Sequence, residues 1–264
     1  MLTLNDIIEN KKREIELEKK QESIEQLKEK IKVLPPARDF LGSISKEGIN
    51  IIAETKIKSP TSEPFNGKSM FDLAKEYEIN GVAAISVLTD KKYFKGNKEI
   101  MQKIKEGITK PILRKDFIIN EYQIYQSRAY GADAILLISS ILSKEEIKRF
   151  IETSRALGME CLVEFNGEKD LEKIPNIAKI YGRNYRKVNY GTDFSSEDIY
   201  YDIYKDPTYI EKIPSNAIKV AESRINSKED IAYLKKKGFN AFLIGTALTR
   251  ASDIERTVKE FISD

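Results

Sequence analysis

"GADAILLISSILSKEEIKRFIETSRALGMECLVEF" runs from Gly131 to Phe165. It opens with the continuous apolar run "DAILLIS" (133–139) and closes with a second, "ECLVEF" (160–165). Runs of this kind read as strands buried on both faces, as in a parallel sheet. Between them "SKEEIKRFIETSRALG" has helical periodicity, with a serine suited to the N-cap and Gly158 suited to the position after the last turn. The stretch is one strand–helix–strand unit.

The unit repeats in both directions. Further apolar runs are "NIIAET" (50–55), "VAAISVL" (82–88), "PILRKDF" (111–117), "IAKIYG" (177–182), "AIKVAES" (217–223) and "NAFLIG" (240–245). Helical patterns separate most of them, beginning at Ser or Asn and ending at Gly81, Gly107, Gly131 and Gly238. Eight such units predict an α/β fold, a (β/α)8 TIM barrel. An open doubly wound sheet is the alternative, but no GxGxxG follows the first strand. The total of 264 residues suits a barrel kept as a single domain, here over 48–264.

Residues 1–47 read as a helical extension. Ile7, Ile8, Ile15, Ile24, Leu27 and Ile31 form a broken apolar stripe from Leu4 to about Lys32, ended by Pro35-Pro36. The heptads are not sustained, so an amphipathic helix packed on the barrel is expected rather than a coiled coil. Its basic patches, Lys11-Lys12-Arg13 and Lys19-Lys20, alternate with glutamates and read as a solvated face. At the other end of the barrel, "RNYRKVNYGTDFSSEDIYYDIYKDPTYIEKIP" after the sixth run is long and tyrosine-rich. It reads as a functional loop with one or two short helices.

Composition narrows the chemistry. The net charge of +3 gives no argument for nucleic acid. No apolar run approaches the ~20 residues of a membrane span, and "MLTLNDIIENKKREIE" lacks the apolar core of a signal peptide. With Cys161 as the one cysteine, a cytoplasmic protein is expected. Histidine is absent, which excludes histidine-ligated zinc and a Ser-His-Asp triad. Acid–base work falls to Glu, Asp, Lys, Tyr or the cysteine.

A barrel gathers the carboxyl ends of its strands around one mouth, where barrel enzymes place their active sites. Those ends carry Glu54 and Lys56, Ser86 and Asp90, Lys115 and Asp116, Glu164, Arg183, Glu222 and Ser223, and Gly245-Thr246. Structural salt bridges would account for one such residue. Several converging on one face point to acid–base pairs that tune each other. Gly245-Thr246, joined by Ser59 from the first loop, is suited to phosphate.

Together, "IIAETKIKSP", "AAISVLTDKKYFKGN", "PILRKDFIINEYQI", "GADAILLIS", "LGMECLVEF", "KVAES" and "NAFLIGTAL" resemble the indole-3-glycerol phosphate synthase family over about residues 40–262. The resemblance implies ring closure, decarboxylation and dehydration of 1-(2-carboxyphenylamino)-1-deoxyribulose 5-phosphate, without metal or organic cofactor, in a protein that is more often monomeric. It implies Lys115 as general acid and Glu164 as general base. Glu54 would lie beside the substrate amine and hydroxyls, and Lys56 would hold the carboxylate and orient Lys115. Glu222 and Ser223 would support polar groups, and Arg183 would join the substrate site. Phe94, Phe117 and Leu136 would wall a slot for the benzene ring. Ser59, Gly245 and Thr246 would take the phosphate.

Two positions depart from the family pattern. Where Ile-Asn-x-Arg is expected, the chain reads Ile180-Tyr181-Gly182-Arg183, unless a shift lets Asn184 substitute. Where Glu-Ser-Gly is expected, it reads Glu222-Ser223-Arg224, so that Arg224 either blocks the phosphate or adds a cation for it. They leave two other readings open: the same barrel acting on another phosphorylated substrate, or a barrel that binds without catalysing. A Schiff-base lysine is a poorer fit, because Lys115 among carboxylates should stay charged.

Overall fold

A computed structural model describes residues 2–56, 67–187, 200–205 and 208–263. Eight strands close into a barrel in sequence order: β1 (Asn50–Thr55), β2 (Ala84–Leu88), β3 (Ile112–Lys115), β4 (Ala134–Ile138), β5 (Glu160–Phe165), β6 (Ile180–Asn184), β7 (Ile218–Glu222) and β8 (Ala241–Ile244). Every neighbouring pair is parallel, and β1 pairs with β8 through Asn50↔Ala241 and Ile52↔Leu243 to shut the ring.

The two faces of each strand feed two cores, because side chains alternate across a strand. Ile52, Ala84, Leu113, Leu136, Leu162, Ile180, Val220 and Leu243 fill the barrel interior. Their neighbours Ile51, Ile85, Ile112, Ile135, Val163, Tyr181, Ala221 and Phe242 pack outward against the surrounding helices. This two-sided burial is why the strands read as unbroken apolar runs. The crossover helices start at Ser69, Asn97, Asn120, Ser143 and Ser227, each of which accepts a backbone N–H through its side chain. Gly81, Gly131, Gly158 and Gly238 follow their helices with left-handed φ, as expected. Gly107 does not; it lies inside its helix, where a Cβ would sit 2.5 Å from the Phe71 ring.

The N-terminal extension is two helices rather than one, α1 (Leu4–Gln21) and α2 (Ile24–Lys32), followed by the short α3 (Phe40–Ser43). The break falls at Ser23, which starts α2 with a capping box shared with Gln26. Leu4, Ile7 and Ile8 of α1, with Phe40 and Ile44, belong to the same apolar cluster as the barrel interior. Asp133 accepts the backbone N–H of Arg38 at 2.7 Å, and the Arg38 guanidinium donates to the carbonyls of Lys105 and Lys110. The solvated face expected for the basic patches holds for Lys12 but fails for Lys11, which is 4% exposed. No helix among the described residues is long and apolar enough to cross a membrane.

Candidate active site

A cavity of about 350 Å³ opens at the carboxyl ends of the strands. Residues at or just past the ends of five of the strands meet there: Glu54 from β1, Lys115 from β3, Glu164 from β5, Asn184 from β6 and Gly245 just after β8. These residues come from distant parts of the sequence; strand alternation turns them inward and closure of the barrel brings them to one space.

Lys115 is the hub. Its Nζ donates to Oε2 of Glu222 at 2.8 Å and of Glu164 at 3.4 Å. Burial by itself would push its pKa down; Glu222, Glu164 and Glu54 overcome that and hold it above the ordinary lysine range. Lys115 is therefore held in its charged form. Glu222 is shifted upward, chiefly by burial and by the Glu164 charge, against the pull of Lys115. Glu222 is not part of the cavity lining; it reaches the site through Lys115. Gly182 makes room for it, since a Cβ there would stand 2.2 Å from Glu222 Oε1.

Lys56 forms a second centre. Its Nζ lies 3.2 Å from Glu54 Oε1 and donates to Thr246 Oγ1 at 2.9 Å. A Cβ on Gly245 would come within 2.4 Å of Glu54 Oε1 and 3.1 Å of Lys56 Nζ, so this position is small because the pair occupies the adjoining space. Thr246, Ser223, Arg224 and Arg250 continue the wall on the β7–β8 side. Ser223 and Arg224 both have left-handed backbone, with φ of 69° and 62°. The Arg224 guanidinium lies 5.3 Å over the Tyr200 ring. Ser59 lies outside the described residues.

Across the mouth, on the β2–β4 side, Phe94, Phe117 and Leu136 line the cavity with Ile138. The Phe94 and Phe117 rings are 6.4 Å apart and tilted by 41°. The cavity thus has an apolar side at β2–β4, a cationic and hydroxyl-bearing side at β7–β8, and Lys115, Glu164 and Glu54 lining it as well.

The expectation for Arg183 is corrected. β6 extends to Asn184, two residues past the apolar run that marks it in the sequence, and its inward residues are Ile180, Gly182 and Asn184. Tyr181 and Arg183 have the opposite parity and point out of the barrel. The Arg183 guanidinium donates to the carbonyls of Asn166 and Asn184 and stacks near the rings of Tyr185, Tyr201 and Tyr209. These three tyrosines belong to the tyrosine-rich stretch, of which residues 188–199 and 206–207 lie outside the described residues. Asn184 lines the cavity, as the shifted alignment requires, and so does Arg186 two residues on. Burial lowers the Arg186 pKa, opposed by Tyr200, Glu54 and Glu164. Arg186 and Arg250 were missed by sequence reasoning. Counting in twos from Ile180 would have found Arg186; Arg250 follows a short helical turn and carries no periodic signal.

The chain is similar in sequence to known proteins along nearly its whole length. Residues 4–261 match the family model described as indole-3-glycerol phosphate synthase. A protein of that name from Acetivibrio thermocellus is 40% identical over 98% of this chain and 99% of its own length. One from Aliarcobacter butzleri is 39% identical over 98% of each chain. One from Clostridium acetobutylicum is 37% identical over 99% of this chain and 97% of its own. With a closed parallel barrel, a strand-end set of lysines and glutamates, and likeness along nearly its whole length, the chain belongs to the indole-3-glycerol phosphate synthase family.

Proposed function

We propose that this cavity closes the indole ring, converting 1-(2-carboxyphenylamino)-1-deoxyribulose 5-phosphate to indole-3-glycerol phosphate, carbon dioxide and water, with Lys115 as general acid. The observation that carries the assignment is the Lys115 ammonium, held by Glu222 and Glu164 beside an apolar wall. The benzene ring stacks against Phe94, Phe117 and Leu136. The ring carbon bearing the carboxylate attacks the ketone carbon while Lys115 gives its proton to the ketone oxygen. Loss of carbon dioxide returns the electron pair to the ring. Reprotonated from solvent, Lys115 gives a second proton to the hydroxyl as it departs as water, and Glu164 takes the proton from the sugar C1 whose loss completes the indole.

Charge supports the substrate's placement. Lys56, Arg186, Arg224 and Arg250 all line the cavity and suit a substrate with a carboxylate and a phosphate. We assign the phosphate to the Gly245-Thr246 and Arg224 wall and the carboxylate to Lys56.

The test is direct. Mixing the protein with the carboxyphenylamino substrate should produce indole fluorescence, which stands clear of a chain with no tryptophan. Lys115→Met should lower kcat by at least about 100-fold. A normal rate in that variant would remove Lys115 from the mechanism, and a folded protein without turnover would turn attention to another phosphorylated substrate.

A further inference from the structure

Lys11 is the buried charge of α1. Its Nζ lies 2.8 Å from Asp90 Oδ2, 2.9 Å from Asp116 Oδ1 and 2.9 Å from Glu14 Oε2. Asp90 and Asp116 are themselves buried and line the cavity, whereas Lys11 stands behind its wall. Asp90 uses its other oxygen to accept the Tyr93 N–H at 2.8 Å, capping the short helix Lys91–Phe94 that carries Phe94. Asp116 Oδ1 also accepts the Phe117 N–H at 2.8 Å, while its Oδ2 is taken by Arg114 and Thr89.

One ammonium from outside the barrel therefore joins the cap of the Phe94 helix to the residue between Lys115 and Phe117. We propose that Lys11 is a positioning residue for the aromatic slot, holding Phe94 and Phe117 at their spacing by clamping Asp90 to Asp116. Without it, Asp90 faces Asp116 in a water-poor space, and although Arg114 still pairs with Asp116, the two carboxylates push their loops apart. Lys11 touches no substrate atom; it acts through the two aspartates. The N-terminal extension thereby becomes part of the site's specificity rather than only a cover for the barrel.

The inference rests on the reaction proposed above, and two variants test it. Lys11→Met removes the clamp. Lys11→Met/Asp90→Asn removes it together with one of the two repelling charges, while asparagine keeps the cap and turns an amide toward Asp116. The expected result is a KM raised about tenfold by Lys11→Met, with a smaller change in kcat, and most of that loss regained in the double variant. A role in folding alone would lower thermal stability without this split and without relief by Asp90→Asn. The inference is overturned if folded Lys11→Met keeps a KM within about twofold of the parent, or if the double variant is no better than the single. Should Lys11→Met not fold, Lys11→Gln is read in the same way. A parent protein without turnover overturns the reaction itself; an active parent with indifferent variants overturns only the role of Lys11.

Discussion

Lys115 at the end of β3 and Glu222 at the end of β7 meet across the barrel, Nζ to Oε2 at 2.8 Å, although 107 residues separate them. The two strands stand on opposite sides of the ring. Only closure of the barrel brings them together, and only an inward side chain from each reaches the middle. The contact fixes the direction of the Lys115 N–H groups in the cavity.

Gly182 is the spacer for that contact. Gly182→Ala puts a methyl group 2.2 Å from Glu222 Oε1 and 3.0 Å from Leu162 Cδ1. The carboxylate must turn away and release Lys115. The expected outcome is a fold weakened by about 1–3 kcal/mol and a kcat lowered by about 100-fold. Thermal melting and steady-state kinetics on the same sample check both; an unchanged kcat would mean that Lys115 is positioned without Glu222.

The parity of β6 separates two residues three positions apart. Tyr181 belongs to the outer core and Asn184 to the cavity. Tyr181→Asn, which imposes the pattern expected from a shorter reading of the strand, should destabilise by about 3 kcal/mol and improve no kinetic constant. Asn184→Ala removes the acceptor of the Arg186 N–H, so it should destabilise by only about 1 kcal/mol and raise KM. The reverse pair of results would place the strand register one residue out.

Arg224 holds a backbone conformation that costs a side chain about 1–2 kcal/mol. Strain of this kind is often kept at a ligand clamp. Arg224→Gly should therefore raise the melting temperature while raising KM and reducing its dependence on salt. A lower KM would show instead that the guanidinium obstructs the phosphate.

Asp116 links stability to pH. Burial works against its charged form, but Lys11 and Arg114 hold its pKa well below the ordinary aspartate value of 3.8. A carboxylate depressed on folding adds stability that is present above its unfolded pKa and is lost as pH falls toward the folded value. Asp116→Asn should thus be less stable than the parent at neutral pH, by about 1–3 kcal/mol. The gap should narrow once the pH drops below the ordinary value. Parallel melting curves across acid pH check it; a gap constant down to pH 2 would mean that the charge of Asp116 contributes nothing.

The sequence by itself determined the barrel. Strands buried on both faces must be apolar throughout, helices between them must be capped, and both requirements are written locally, as in Ser143 before its helix and Gly158 after it. It also determined which strand ends carry charge, because Glu54, Lys115, Glu164 and Glu222 interrupt apolar runs where a cost in desolvation needs a reason. Tertiary structure alone decided which of these meet. Arg183 and Asn184 are adjacent in the chain and both polar, yet β6 runs through both, and its alternation sends one out among tyrosines and the other into the cavity. Lys11 looks like its solvated neighbour Lys12, because a lysine's burial depends on carboxylates that arrive from β2 and β3, and no local pattern records their approach. Gly182 and Gly245 are small for the same reason: the side chains that need their space come from other strands.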